Sequence, residues 1–383
     1  MRIAPFTSTF LDSLRLLAAL GVVFVHLGNS KLVPSAIAQQ AYGGFFVVAF
    51  FVLSGYVIAA TTNSARSDGV RYFSVRLARL WTVAIPALLV AFLLEKVGTS
   101  LAPEHFAEFN RGHSLLRYLL AATFSNEFWF FSAGPPMDLP VWSLAYEFWY
   151  YVLFGLAVFV KAPVMRSLLL AVTCAVIGPK ILALFPIWLL GTLAWRLAAC
   201  RQAWERWAPL LIGSSVSLLL FLVIAHPRWP GEIGSAPLFF SGAWISDWLC
   251  GLGVAGLIVG CDARFHSCTV PPIANAIIKR GAGVSFSLYL LHFPLMVFCA
   301  AFLPYNPSSP VQVGAILVLV LFTVFCFGSF FEPQRKPWAP RLEALMRAAI
   351  GNFGSPAIGI AGPKTEGTAV VTDPPNSGGA YRS

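Results

Sequence analysis

The first apolar stretch, LDSLRLLAALGVVFVHLGNS, carries two side chains that hydrocarbon alone would not tolerate, Arg15 and His26, eleven residues apart. Eleven helical steps advance the chain about 16 Å and rotate it three turns plus roughly 20°, so both project from one face at opposite membrane depths. A charge at the bilayer centre costs at least ~2.5 kcal/mol, so such an arginine faces protein or water. An imidazole titrates near ambient pH and can act as general base on a hydroxyl. For His26 taken alone, a satisfied structural histidine is the competing reading.

Further clusters carry compatible chemistry. RYFSVRLARLW places Arg71, Arg76 and Arg79 at one end of a later apolar run, with Arg76 and Arg79 adjacent on one helical face. Paired guanidinia bind phosphate bidentately, although the same residues also serve as topology signals whose stems snorkel along lipid. In PVWSLAYEFWYY, Trp142 and Ser143 open a helix and Glu147 lies one turn deeper. That is near the depth of His26, where a carboxylate could orient an imidazole or form a structural bridge. GVSFSLYLLHFPL supplies Ser287, Tyr289 and His292 before Pro294, with His292 near mid-membrane, facing either a substrate tunnel or a structural partner. Asp12 and Glu332 fall at the level of the arginines and are expected to pair with them.

The elements that must position these residues are apolar helices. Of 383 residues 58% are hydrophobic and 11% charged, with a mean hydropathy of +0.75, against about 25% charged in soluble domains. Runs long enough to span the hydrocarbon fall at 11–29, 42–62, 79–98, 140–160, 167–180, 182–199, 208–225, 237–261, 284–303 and 311–331. The expected fold is therefore all-α, a polytopic transmembrane bundle of about ten helices.

Basic residues set its expected orientation. Arg66, Arg71, Arg76, Arg79, Lys161, Arg166, Arg201, Arg206, Arg264, Lys279 and Arg280 fall in alternate connections, and Arg335, Lys336, Arg341 and Arg347 follow the last span. The other connections hold Lys31, Arg111, Arg117, Lys180 and Arg228 mixed with Glu104, Glu108, Glu127, Asp138 and Glu232. Both termini are expected to be cytoplasmic. The same distribution accounts for the net charge of +10 through anionic lipid rather than nucleic acid. The first span lacks a small-residue cleavage site and reads as a retained anchor.

Cysteines 174, 200, 250, 261, 268, 299 and 326 are scattered without CxxC or metal-ligand spacing, and read as packing residues with no metal site. Neither a GxxxxGK[ST] loop nor a GxGxxG turn is present, which argues against nucleotide hydrolysis. The outward segment 99–139 contains SLLRYLLAATF, expected to lie along the interface or re-enter the bundle. Beyond Pro340 an amphipathic stretch reaches Ile350, and the Gly-, Pro-, Ser- and Thr-rich remainder is expected to be disordered.

Taken together, LDSLRLLAALGVVFVH, FFVLSGYVI, RLARLW, VWSLAYEFWYY, FSLYLLHFPL and FFEP, in that order, resemble the acyltransferase-3 family of integral membrane acyltransferases. Thr82 stands where that family often has proline. The resemblance implies a transmembrane acyltransferase domain over residues 8–335 and a cytoplasmic tail over 336–383, without the extra hydrolase-like domain of some relatives. It implies Arg15, His26 and Glu147 as catalytic residues, Arg76 and Arg79 with Arg15 as the CoA-binding set, and Trp142, Ser143, Tyr289 and His292 around substrate. No tightly bound cofactor is expected. Acyl-CoA, commonly acetyl-CoA, would be the donor, and a hydroxyl of an extracytoplasmic or lipid-linked carbohydrate the acceptor, in a bacterial inner membrane. A proton-coupled transporter or flippase would use Arg15, His26 and Glu147 as a pathway, but the chain lacks inverted hydropathy repeats and paired broken helices.

Overall fold

The structure, a computed structural model, describes residues 3–34, 43–62, 68–231 and 238–352. Arg66, Glu232 and the Gly- and Pro-rich segment 353–383 lie outside the described residues. Among those described, nine helices are long and apolar enough to cross a membrane. They pack around a core whose largest fully buried side chains include Tyr56, Tyr146, Tyr150, Tyr151 and Trp188. The chain is an integral, multi-pass, all-helical membrane protein.

We call basal the end at which α1 (Pro5–Asn29) begins and apical the end at which it stops. Pro5 starts α1 because its fixed φ suits a first turn and its missing N–H would be unpaired there anyway. α2 (Gly43–Thr62) returns to the basal end. α3 (Gly69–Leu101) starts ten residues before the span expected at 79–98, because the Asp68 side chain caps it by accepting from the Arg71 N–H at 2.8 Å. Arg71 and Arg76 therefore sit on helix, not in a connection. Two short apical helices follow, α4 (Pro103–Ala107) and α5 (Ser114–Ala122). α5 buries Tyr118 and Ala121 and leaves Leu115, Leu116 and Leu119 exposed, as an interfacial helix does. α6 (Trp142–Phe159) then descends.

The spans expected at 167–180 and 182–199 form one helical segment, α7 (Pro163–Ala199), broken at Gly178, where φ is 78° and ψ −178°. A Cβ on Gly178 would fall 2.6 Å from Trp129 Cα, so only glycine fits both the conformation and the space. The break is a hairpin. Its tip reaches the apical end, where the Trp129 N–H donates to the Ile177 carbonyl at 3.0 Å. Both feet are basal: Phe159, just before the first, packs 5.2 Å from Tyr72 in the first turn of α3. Arg201, just after the second, pairs with Asp262, which in turn accepts from Thr7. Beside the tip, Lys180 and Glu127 form an ion pair at 2.5 Å with both side chains wholly buried, and Lys180 also donates to Phe131 O and Ser132 Oγ at 2.7 Å. These two residues, read from sequence as outward loop charges, are a buried clamp holding segment 123–138 to α7.

α8 (Arg201–Trp204) is one basal turn; α9 (Ala208–Ala225) ascends and α10 (Trp244–Phe265) descends, the latter starting later than the 237–261 expectation because a 3-10 turn occupies Phe239–Ser241. α11 (Pro272–Gly283), where only a basic connection was expected, exposes Ile273 and Ile277 beside Lys279 and Arg280 along the basal interface. α12 (Ser285–Phe302) ascends and α13 (Pro310–Phe331) descends. α14 (Arg335–Asn352) begins before Pro340 and docks on α3 through an Arg347–Asp68 pair at 2.5 Å. With the hairpin counted as two crossings, the described chain crosses ten times and both its ends are basal.

Packing between α2 and α7 is backbone to backbone. A Cβ on Gly55 would fall 2.0 Å from Trp188 O, and one on Gly191 2.0 Å from Val52 O. Small residues permit such approach in lipid, where no hydrophobic force draws helices together. The cysteines divide: Cys250 and Cys261 are buried packing residues, whereas Cys200, Cys268 and Cys326 are exposed.

Candidate active site

Two cavities enter the bundle from opposite ends. The apical one, of about 1340 Å³, is lined by His26, Trp142, Tyr289, Lys31, Arg111 and Arg228, among others. His26, near the end of α1, is half-buried. Its Nδ1 lies 2.9 Å from Nε2 of His292 on α12, and His292 Nδ1 lies 2.8 Å from the Leu288 carbonyl oxygen. A carbonyl oxygen only accepts, so His292 Nδ1 carries a proton, and neutral His292 then accepts at Nε2. His26 must donate from Nδ1. Its Nε2 is left with a lone pair, the state a general base requires. His292, wholly buried, stands behind His26 rather than lining the cavity, which corrects the expectation that it contacts substrate.

The basal cavity, of about 250 Å³, is lined by Arg15, Arg79, Glu147, Ser54, Ser143, Tyr289 and Glu332, with Asp12, Lys279 and Arg335 also on its wall. Arg15 Nη1 lies 3.8 Å from Asp12 Oδ1, one turn away on α1. Glu147 Oε1 accepts from Ser54 Oγ at 2.8 Å and from the Tyr151 hydroxyl. Ser54 accepts in turn from Trp188 Nε1 at 3.2 Å. Glu147 is therefore bonded into the basal site, on the cavity of Arg15 and Arg79 rather than at the depth of His26, and does not orient that imidazole, which corrects the expectation from helix rise. Glu332 accepts from the Ser287 N–H at 3.1 Å and Oγ at 3.2 Å rather than bridging an arginine.

The arginine pair splits. Arg79 lines the basal cavity, while Arg76 donates from Nη2 to Thr61 Oγ1 at 2.7 Å and lies over the Tyr72 ring, off the cavity wall. Trp142 faces the apical cavity, stacked on Phe240 at 4.4 Å; Ser143, its neighbour in chain, faces the basal one; Tyr289 lines both. Sequence reasoning missed Ser54, Tyr151, Lys279 and Arg335. Ser54 and Tyr151 lie inside the segments FFVLSGYVI and VWSLAYEFWYY, and Lys279 two residues after Ile277 in a stretch that opens with Pro272, so these three had a cue; Arg335 stood among the tail cations.

A family model described as an acyltransferase domain matches residues 8–331. The chain belongs to the acyltransferase-3 family. All the family motif residues named above fall on cavity walls or directly behind them, except Arg76. One curated relative of this acyltransferase-3 chain, an O-acetyl transferase of Shigella phage Sf6, is 26% identical over 166 residues, covering 39% of this chain and 46% of the phage protein. The match thus spans less than half of that relative's length. No solved structure matches the chain.

Proposed function

We propose that this protein is a membrane-embedded O-acyltransferase that moves an acyl group, acetyl by analogy with the name of its phage relative, from acyl-CoA in the basal cavity to a carbohydrate hydroxyl in the apical cavity. The observation that carries this reading is that one helix, α1, offers a guanidinium to one cavity and an imidazole with a free lone pair to the other. Arg15, Arg79, Lys279 and Arg335 supply cations for the donor phosphates. The helical rise from Arg15 to His26, about 16 Å, is comparable to an extended pantetheine arm. His26 Nε2 takes the acceptor's proton, the alkoxide oxygen bonds the thioester carbonyl carbon, and the C–S bond breaks. The departing thiolate takes the proton back from His26, which restores the neutral relay.

In this reading the basal end is cytoplasmic, where its excess of Lys and Arg belongs, and the membrane is the bacterial cytoplasmic one. The acceptor is a glycan, lipid-linked or already exported. Membrane vesicles supplied with radiolabelled acetyl-CoA test the proposal. Label that becomes covalently attached to glycan supports it; solute uptake without covalent labelling would replace it with transport.

A further inference from the structure

Tyr289 stands between the two cavities and is pinned from both sides. Its hydroxyl donates to the Pro140 carbonyl oxygen at 2.8 Å and accepts from Ser143 Oγ at 2.7 Å, while Phe50 meets its ring edge-on with centroids 5.6 Å apart. Pro140 belongs to the apical wall, and Ser143 and Phe50 to the basal wall. The ring also sits one turn before His292 on α12, the partner of His26, and is on the wall of both cavities.

We infer that Tyr289 is a gate, the partition that keeps a docked thioester away from apical water and from His26 until the acyl-bearing arm displaces it. The inference rests on the transfer reading above and addresses a problem which that reading creates. His26 Nε2 cannot tell water from a sugar hydroxyl. A water bonded to it would lose a proton to Nε2, its oxygen would bond the thioester carbonyl carbon, and the C–S bond would break. The thiolate would take the proton from His26, yielding free CoA and a carboxylic acid. Acceptor present or absent, that reaction consumes donor, so discrimination must come from excluding water, as closed active sites do. Two neutral hydrogen bonds and an edge contact suit a gate, since each is weak enough to be exchanged for contacts with an entering arm.

The test uses purified full-length protein and acetyl-CoA with no acceptor, following free CoA thiol. In Tyr289→Ala, hydrolysis should rise by about 10²-fold, the low end of what a positioned general base contributes. Adding His26→Ala to that variant should return it to background. Tyr289→Phe keeps the ring and loses both hydrogen bonds, so its rise should be smaller but measurable. A Tyr289→Ala protein that binds acetyl-CoA like wild type yet hydrolyses it no faster would overturn the gate. If that variant fails to fold, Tyr289→Phe decides, and a wild-type rate there overturns it equally. Failure of the wild-type protein to bind acetyl-CoA or label glycan would instead sink the transfer reading, and the gate with it.

Discussion

The Nδ1 of His26 and the Nε2 of His292 lie 2.9 Å apart, joining α1 to α12 across 266 residues of chain. The second ring occupies the place a carboxylate takes in most nucleophile-activating chains, so in the proposed reaction an imidazolium formed on His26 would be stabilised by a neutral acceptor whose own Nδ1 proton is donated to the Leu288 carbonyl oxygen. His26→Ala and His26→Gln should abolish transfer, by about 10²- to 10⁴-fold, while the protein stays in the membrane. His292→Ala removes a side-chain acceptor of the His26 Nδ1 proton and should lower turnover at saturating acetyl-CoA; His292→Gln, whose amide oxygen can still accept from Nδ1, should recover part of it. Near-normal turnover in a stably inserted His26→Ala protein would remove this ring from the mechanism.

Arg79 and Arg76 should separate kinetically. Arg79→Ala is expected to raise the Michaelis constant for acyl-CoA more than it lowers turnover, because phosphate contacts far from the reacting carbon bind ground and transition states alike. Arg79→Lys should rescue only partly, since an ammonium lacks the bidentate fork. Arg76, engaged by Thr61 and the Tyr72 ring, should affect that constant less. Equal effects from both alanine variants, measured by initial rates against acyl-CoA concentration, would contradict this division.

Glu127 and Lys180 form a clamp whose halves should be costly to remove singly. Glu127→Ala leaves a wholly buried ammonium without its carboxylate, and such losses run to about 3–5 kcal/mol. The double variant Glu127→Leu, Lys180→Met buries no charge and should be closer to wild type. Thermal unfolding in detergent measures the comparison; a double variant as unstable as Glu127→Ala would show that packing rather than charge dominates.

Legibility followed chemistry that is local in sequence. The apolar spans, and Arg15 and His26 on one helix at opposite depths, could be read because helix rise and hydropathy depend on neighbours alone. The starts of α3 and α14 could not, because both helices run past the hydrocarbon into charged sequence, where a hydropathy window ends but an Asp68 cap or a contact to α3 continues the coil. The depth of Glu147 depends on where α6 enters the bundle and its azimuth on how α6 packs, so its bonds to Ser54 and Tyr151 in the basal site, away from His26, needed the fold. His292 needed the fold itself, since nothing near it in sequence points to α1.

Acidification should loosen α14 before it touches the core. Burial pushes the Asp68 carboxyl up, but the Arg71 N–H and the Arg347 guanidinium outweigh it and hold the group below its ordinary value. A carboxylate favoured in this way contributes stability that is complete above its unfolded pKa, about 4, and lost as pH falls through the lower folded value. The pair is partly exposed, so the effect is about 0.2–1 kcal/mol. Amide protection over residues 335–352, taken relative to the intrinsic exchange rate at each pH, should fall on acidification below that point in the wild type and show no such step in Asp68→Asn.

Sidedness is testable with single cysteines in a background stripped of the native seven. Probes at Asn110 and His113 should react from outside intact cells, whereas probes at Ala344 should react only after the membrane is opened. Each cation near the cytoplasmic leaflet contributes about 1 kcal/mol to this bias. A probe at Ala344 that labels from outside would invert the map and place Arg15 and Arg79 beyond the reach of cytoplasmic CoA.

Gly178 governs more than its own turn. With a helical φ there, Pro163–Ala199 would be a single rod of about 55 Å that emerges at the apical end, and every later helix would run in the opposite sense. α12 would descend instead of ascending, His292 would lose its register with His26, and Arg335 would open onto the apical side. The meeting of the two histidines thus depends on an odd number of passages between α1 and α12, and one backbone angle, admissible only without a side chain, sets that parity.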